Sequence, residues 1–149
     1  RGLYTFWKRA AHHPMMSTFD APNREVCTFS RSATNTPLQA LVLLHDPQFV
    51  EAARVLAAKL VQSSNRVESR IQQGYLTILS RDPSGLELEK LSELYEAEFS
   101  AFQANDKEAE KLLAVGEAPL EDNLDPAEVA AMTMVVRTIM NLSETITKH

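Results

Sequence analysis

Apolar residues recur at three- and four-residue intervals through most of the chain, and nearly every such stretch opens on a helix-start signal. Between residues 2 and 11, Leu3, Phe6, Trp7 and Ala10 share one side while Lys8 and Arg9 lie elsewhere, the spacing of an amphipathic helix. His12-His13-Pro14 predicts its end, because the residue before a proline is pushed out of the helical region. Residues 15–35 carry no period and read as an irregular polar loop, with Asp-Ala-Pro-Asn at 20–23 as a turn. Thr36-Pro37-Leu38-Gln39 then forms a capping box, with Thr36 as N-cap, proline at the first helical position and Gln39 at the third. Asp46-Pro47 cuts that helix short and opens another, whose inner stripe is Phe49, Ala53, Leu56 and Leu60, widened by Val50, Ala57 and Val61.

The logic repeats towards the C-terminus. Ser63-Ser64 breaks the pattern, and Asn65-Arg66-Val67-Glu68 restarts it with Val67, Ile71, Tyr75 and Ile78 inward. A glycine inside a helix costs about 1 kcal/mol against alanine, so Gly74 predicts close approach by another helix. Asp82-Pro83 ends that element. Ser84 with Glu87 starts the next, carrying Leu88, Leu91, Tyr95 and Phe102 inward, with glutamates on a solvated face. Asn105 with Glu108 opens a shorter helix bearing Leu112 and Leu113, closed by Gly116 as C-cap. After a linker over 116–124, Leu124-Asp125-Pro126-Ala127-Glu128 combines an N-cap, an N1 proline, a capping box and a staple to Val129. Met132, Val136, Ile139 and Met140 face inward from this last helix. No alternation long enough for a sheet occurs. The expectation is an all-α, compact single domain over 1–149 of about six helices, with one long irregular polar loop near the N-terminus.

Composition narrows the function classes. The 149 residues are 44% hydrophobic and 23% charged, ordinary for a globular chain that can bury a core unaided. The longest strongly apolar run, 38–44, falls far short of the ~20 residues of a membrane-spanning helix, so no transmembrane segment is expected. The chain begins Arg1-Gly2 and shows no signal-peptide core, which reads as a piece of a longer protein. A single cysteine, Cys27, permits no internal disulfide and no Cys-x-x-Cys motif, and reads as a small buried apolar side chain. The net charge of −5 is unevenly spread: residues 1–81 hold ten Lys/Arg against five Asp/Glu, and residues 82–149 hold five against fifteen. One half can therefore pack on the other or leave an acidic face for a partner. Nucleic acid, which calls for a concentrated basic surface, is not an expected partner.

Chemistry-bearing residues crowd into the loop. Asp20, Arg24, Glu25, Arg31 and Asn35 have no local explanation as caps, and they stand as the ligand-binding candidates of the chain. Buried polar groups must be satisfied, so they form either a charge-paired structural network or a site. In the network reading, Arg24→Ala or Glu25→Ala lowers stability. In the site reading, Asp20 or Glu25 acts as acid or base while Arg24 or Arg31 holds an anionic substrate. Ser30, Ser32, Thr34, Thr36 and His45 add hydroxyls and an imidazole. No nucleophile elbow, zincin, Walker or dinucleotide motif is present, and four glycines leave little for phosphate-cradling loops. No catalytic residue is assigned, and catalysis is not expected of this stretch. His12, His13, Met15 and Met16 are ligand types for copper or haem. Histidines after a helix more often meet its dipole, and Asp20, Glu25 and Asp46 match no calcium spacing. No metal site is expected.

The loop and the motifs after it carry a resemblance. TFDAPNRE, Cys27 and NTPLQALVLLHDPQFVEAAR, continued by YLTILSRDPSGLELEKL, LLAVGEAP and LDPAEVAAMTMVVRTIMNLSETIT, resemble a family of unknown function from planctomycetes and related bacteria. That family is the C-terminal planctomycete-specific domain of large proteins that often also carry a cytochrome c domain. The resemblance implies an exported or periplasmic C-terminal piece whose partners are other domains of the same polypeptide. It also implies haem c in a separate upstream domain of some relatives, with no cofactor in this chain. In that family proline and serine tend to precede the Met-x-x-Phe-Asp element, so His12 and His13 depart from the pattern, which weakens a metal role further. The functional expectation is a non-catalytic structural or interaction module packing against sibling domains. The alternative is a ligand-binding or catalytic site at the 18–35 loop for anionic or carbohydrate material.

Overall fold

The computed structural model describes residues 5–147 apart from 7, 9, 10, 23, 24, 26, 31 and 120–122. Among these there are eight helices and no β-strand: α1 (Pro14–Thr18), α2 (Pro37–His45), α3 (Pro47–Ser63), α4 (Val67–Leu79), α5 (Gly85–Ala104), α6 (Asp106–Leu113), α7 (Pro126–Met140) and α8 (Ser143–Ile146). Six of them match the helices expected from residue 36 onward, and α1 and α8 are single short turns.

The last long helix is the centre. Asp125 caps α7 by accepting from the Ala127 amide at 3.0 Å. Val129, Ala130, Ala131, Met132, Thr133, Val135 and Val136 are all 0% exposed, so the middle of α7 is covered around most of its circumference. A helix that is apolar around most of its circumference is stabilised when others surround it. The cover comes from α3 most extensively, then α5 and α6, with α4 and α2 completing it. Ala53 and Ala57 of α3 are fully buried, and side chains that small let two helices pack closely. Thr133 is the one polar residue in this run, and its hydroxyl donates to the Val129 carbonyl at 2.7 Å, so it is satisfied within its own helix.

The predicted start signals are mostly used as expected. Thr36 and Gln39 exchange both capping-box bonds, as do Ser84 and Glu87. Asp46 ends α2 and caps α3 through the Gln48 amide at 2.9 Å. Gly74 lies beneath Leu60 and Ile139, whose Cδ1 atoms would stand 3.4 and 3.6 Å from an added Cβ. The expected close approach is there, with room for one methyl group.

Several expectations are corrected. Parts of the helix expected over 2–11 lie outside the described residues, and at Thr5, Phe6, Lys8 and Ala11 the backbone is not helical. Lys8 and Ala11 instead form an isolated bridge, and Phe6 is 77% exposed. A short amphipathic stretch is stable as helix only when its face is packed, and Phe6 finds no such cover. His13-Pro14 opens α1 instead of ending a helix, because extended His13 and proline at N1 also suit a beginning. Arg66, not Asn65, precedes α4, and the Ser64 hydroxyl accepts its amide at 3.1 Å. Glu128 does not close a capping box; it reaches Arg70 at 3.3 Å. Gly116 lies beyond the C-cap of α6, which is Ala114. Its φ of +96° and the Glu51 side chain, which an added Cβ would strike, both require glycine. Cys27 is exposed, not buried.

Candidate functional site

The polar loop is organised by Gln39. This side chain sits on the inner face of α2 one turn before Leu43, and it is 0% exposed. Its Oε1 accepts the Thr36 amide at 3.0 Å, as the capping box requires. The same amide group then reaches across the loop: Nε2 donates to the Thr18 carbonyl at 2.9 Å, to the Thr34 hydroxyl at 3.2 Å and towards Asp20 Oδ2 at 3.4 Å. Asp20 Oδ2 also accepts from the Thr34 amide at 2.9 Å and hydroxyl at 2.7 Å. A relay from Gln39 through Thr34 to the Asp20 carboxylate therefore ties the end of α1 to the start of α2. Asp20 adopts φ +58°, a left-handed conformation that aspartate tolerates better than bulkier residues.

A cleft of about 280 Å³ opens beside this relay, lined by Phe19, Asp20, Ser32, Thr34, Gln39 and Ile146 among others. Of the five sequence candidates, Asp20 lines it. Glu25 and Asn35 are exposed and do not. Arg24 and Arg31 lie outside the described residues. Thr34 and Ser32, named in the sequence for their hydroxyls, also line it, and Gln39 is what sequence reading missed, since a cap fully accounts for it. The available signal was its four-residue spacing from Leu43, which places the amide on the buried face. Among the described residues no imidazole, amine or thiol lines the cleft, so its chemistry is that of hydrogen-bond acceptors and hydroxyls beside an aromatic wall. Phe19 itself packs against Phe49 of α3 at 6.1 Å between ring centroids.

The remaining charged groups mostly join the basic first half to the acidic second. Arg81 grips Glu87 at 2.7 Å and Glu144 at 2.8 Å, with its guanidinium 5.1 Å from the Tyr75 ring centre. That clamp ties the α4–α5 turn, the start of α5 and α8 together. The Arg81 hydrogen bonds, helped by the Ser84 amide, hold the Glu87 carboxyl down at about 2. Glu87 and then Glu144 push the Arg81 guanidinium up, and burial followed by Glu87 raises the Tyr75 phenol. Arg70, 4% exposed, donates to the Ser64 carbonyl at 2.6 Å and meets Tyr95 and Glu128. Burial foremost, and then the Glu128 charge, raise the Tyr95 phenol. Arg137 donates to the Leu44 carbonyl at the end of α2 and to Met134 Sδ at 3.2 Å. Burial lowers its pKa against the pull of Glu98.

Among the described residues no three His, Cys, Asp or Glu side chains cluster so as to hold a metal. No helix among them is long and apolar enough to cross a membrane. Residues 1–95 match the model of the PSD1 family, described as proteins of unknown function (DUF1553). No curated protein and no solved structure matches the chain.

Proposed function

Because the chain belongs to the PSD1 family of proteins of unknown function, we propose its role from its own surfaces: a non-catalytic interaction module that packs against sibling domains of a longer polypeptide. The observation that carries this reading is the outer face of α2. Leu38, Ala40, Leu41, Val42, Leu43 and Leu44 make this helix apolar all round, yet only Gln39 and Leu43 are buried. Leu38 and Leu41, one turn apart, remain 55% and 53% exposed. Apolar surface of this kind is stabilised by cover. The helix lies inside the family-matched region, and Phe29 in the preceding loop is also fully exposed.

The resemblance to the planctomycete C-terminal domain extends the reading to an exported chain. Haem c then belongs to a separate upstream domain that this module helps to present, and this chain contributes no cofactor. Hydrogen exchange of the natural full-length polypeptide against the 149-residue chain tests the core claim. The expected result is slower exchange over 37–45 in the full-length protein, abolished by Leu38→Glu with Leu41→Glu. Equal exchange in the two would overturn it.

A second reading is favoured by the cleft at Asp20. A carboxylate, an amide and hydroxyls beside Phe19 suit a hydroxyl-rich ligand, and the Asp20 charge favours carbohydrate over anionic material. Titration of the chain with neutral oligosaccharides, followed by the Gln39 side-chain amide resonances, should give saturable shifts that vanish in Asp20→Ala.

A further inference from the structure

Helix α3 contains a buried cation that has no ionic partner among the described residues. Arg54 is 1% exposed and shares the inner face with Val50, Ala57 and Val61. Its Nη2 donates to the Ala118 carbonyl at 2.6 Å, while its Nε is buried with no acceptor. Among the described residues no carboxylate lies within ion-pair distance of it. The nearest acid along the helix, Glu51, uses its Oε1 to accept the Glu117 amide at 2.9 Å and the Ala118 amide at 2.6 Å. Arg70 is the contrasting case: it is nearly as buried, but it is answered by Glu128. A guanidinium withdrawn from water is strongly unfavourable unless a counter-charge compensates it. One carbonyl does not supply that charge.

Arg54 also lines a second cavity, of about 290 Å³, remote in sequence from the Asp20 cleft. Lys59 and Gln62 share its lining, and Val55, Ala58 and Pro119 make the rest of it apolar. A buried cation, a second cation at the exposed Lys59 and short aliphatic walls describe a receptor for a small amphipathic anion. The planar fork of arginine matches the geometry of a carboxylate, and the aliphatic walls favour an organic acid over inorganic phosphate.

We propose that this cavity binds the carboxylate of a small organic acid, with Arg54 as its ionic partner, Lys59 as a steering charge and Val55, Ala58 and Pro119 around the aliphatic part. The carboxylate reaches the site either as a free acid or as the end of an acidic side chain. Butyrate and glutarylglycine amide serve as probes of the two sources, with phosphate and chloride as controls at constant ionic strength.

The experiment follows the Arg Nε–H resonances of the full chain during titration, together with thermal stability. Butyrate should shift a single Nε signal saturably, with half-saturation in the millimolar range, and should raise Tm, while phosphate and chloride do neither. Arg54→Met, which removes the charge but keeps much of the volume, should weaken butyrate binding at least about tenfold, the loss of one charge-assisted hydrogen bond. Lys59→Gln, at an exposed position that leaves the core intact, should weaken it several-fold and keep the proposal testable if Arg54→Met fails to fold. Tighter binding of the glutaryl probe would assign the side-chain source, and tighter binding of butyrate the free acid. The proposal is overturned if no Nε signal saturates. It is equally overturned if Lys59→Gln binds butyrate like the native chain, or if a folded Arg54→Met does so. Failure here leaves the α2 face untouched, because that face lies on another helix and is read by exchange over 37–45.

Discussion

Helices α2 and α7 are built from equally apolar sequence, with two-thirds of each made of Ala, Val, Ile, Leu or Met. Their fates differ. Nine of the fifteen residues of α7 are buried, against two of the nine in α2. The cause is position in the assembly. Helix α7 is enclosed by α3, α4, α5 and α6, whereas α2 meets α1, α3 and α7 on one side only. Apolar content establishes that a helix gains from cover, and the neighbours decide how much it receives. The polar residues diverge in the same way. The single polar group in the buried run of α7, Thr133, is satisfied inside its own helix, while buried Gln39 of α2 binds groups as far away as Thr18.

Substitutions should separate the two regions by size of effect. Ile139→Ala in α7 removes a side chain that is 1% exposed and should destabilise by about 2–5 kcal/mol in denaturant unfolding, as large-to-small core changes do. Helix α7 would lose its standing as the core if the cost were below 1 kcal/mol by the same measurement. Gln39→Ala comes next. It strands the Thr36 amide and the Thr18 carbonyl, and the expected loss is about 1–3 kcal/mol, read by the same unfolding curves. A value near zero would mean that the loop does not depend on its relay.

The Arg81 clamp gives a pH test. Arg81 holds Glu87 at about 2, below its ordinary 4.5, so the unfolded chain takes up this proton first. The stabilisation is complete above about 4.5 and is lost as pH falls towards 2. Glu87→Gln should flatten that part of the stability–pH profile, and an unchanged acid limb would show that the pair contributes nothing. The smallest effect belongs to the open face. Leu38→Ala and Leu41→Ala should each change the stability of the 149-residue chain by no more than about 0.5 kcal/mol. A loss above 1 kcal/mol would mean that these side chains are already packed.

Much of the fold is legible in the chain because its information is local. Thr36-Pro37, Asp46-Pro47, Ser84 with Glu87 and Asp125-Pro126 each set a helix start through bonds that span two or three residues. The same motifs misled where the side chain was drawn elsewhere. Glu128 has the spacing of a capping residue, but Arg70, distant in sequence, claims it. Cys27 and Phe6 look like core residues by type, yet both are exposed. The candidate site was legible only in part. Asp20 was found from its chemistry, and Gln39 was set aside because a local role already explained it. Arg54 belongs to no cap or catalytic motif, so the sequence pattern does not single it out.

The sequence by itself determined the helical class, the positions of most helix starts and the inward stripes, since caps and periodicity act within a few residues. Tertiary structure alone decided that α7 is the enclosed helix and α2 the half-open one, that Gln39 joins loop segments many residues apart, and that Arg54 is buried with no counter-charge among the described residues. Those outcomes depend on which surfaces meet in space. Burial and pairing are properties of neighbours, and one residue's identity does not specify them.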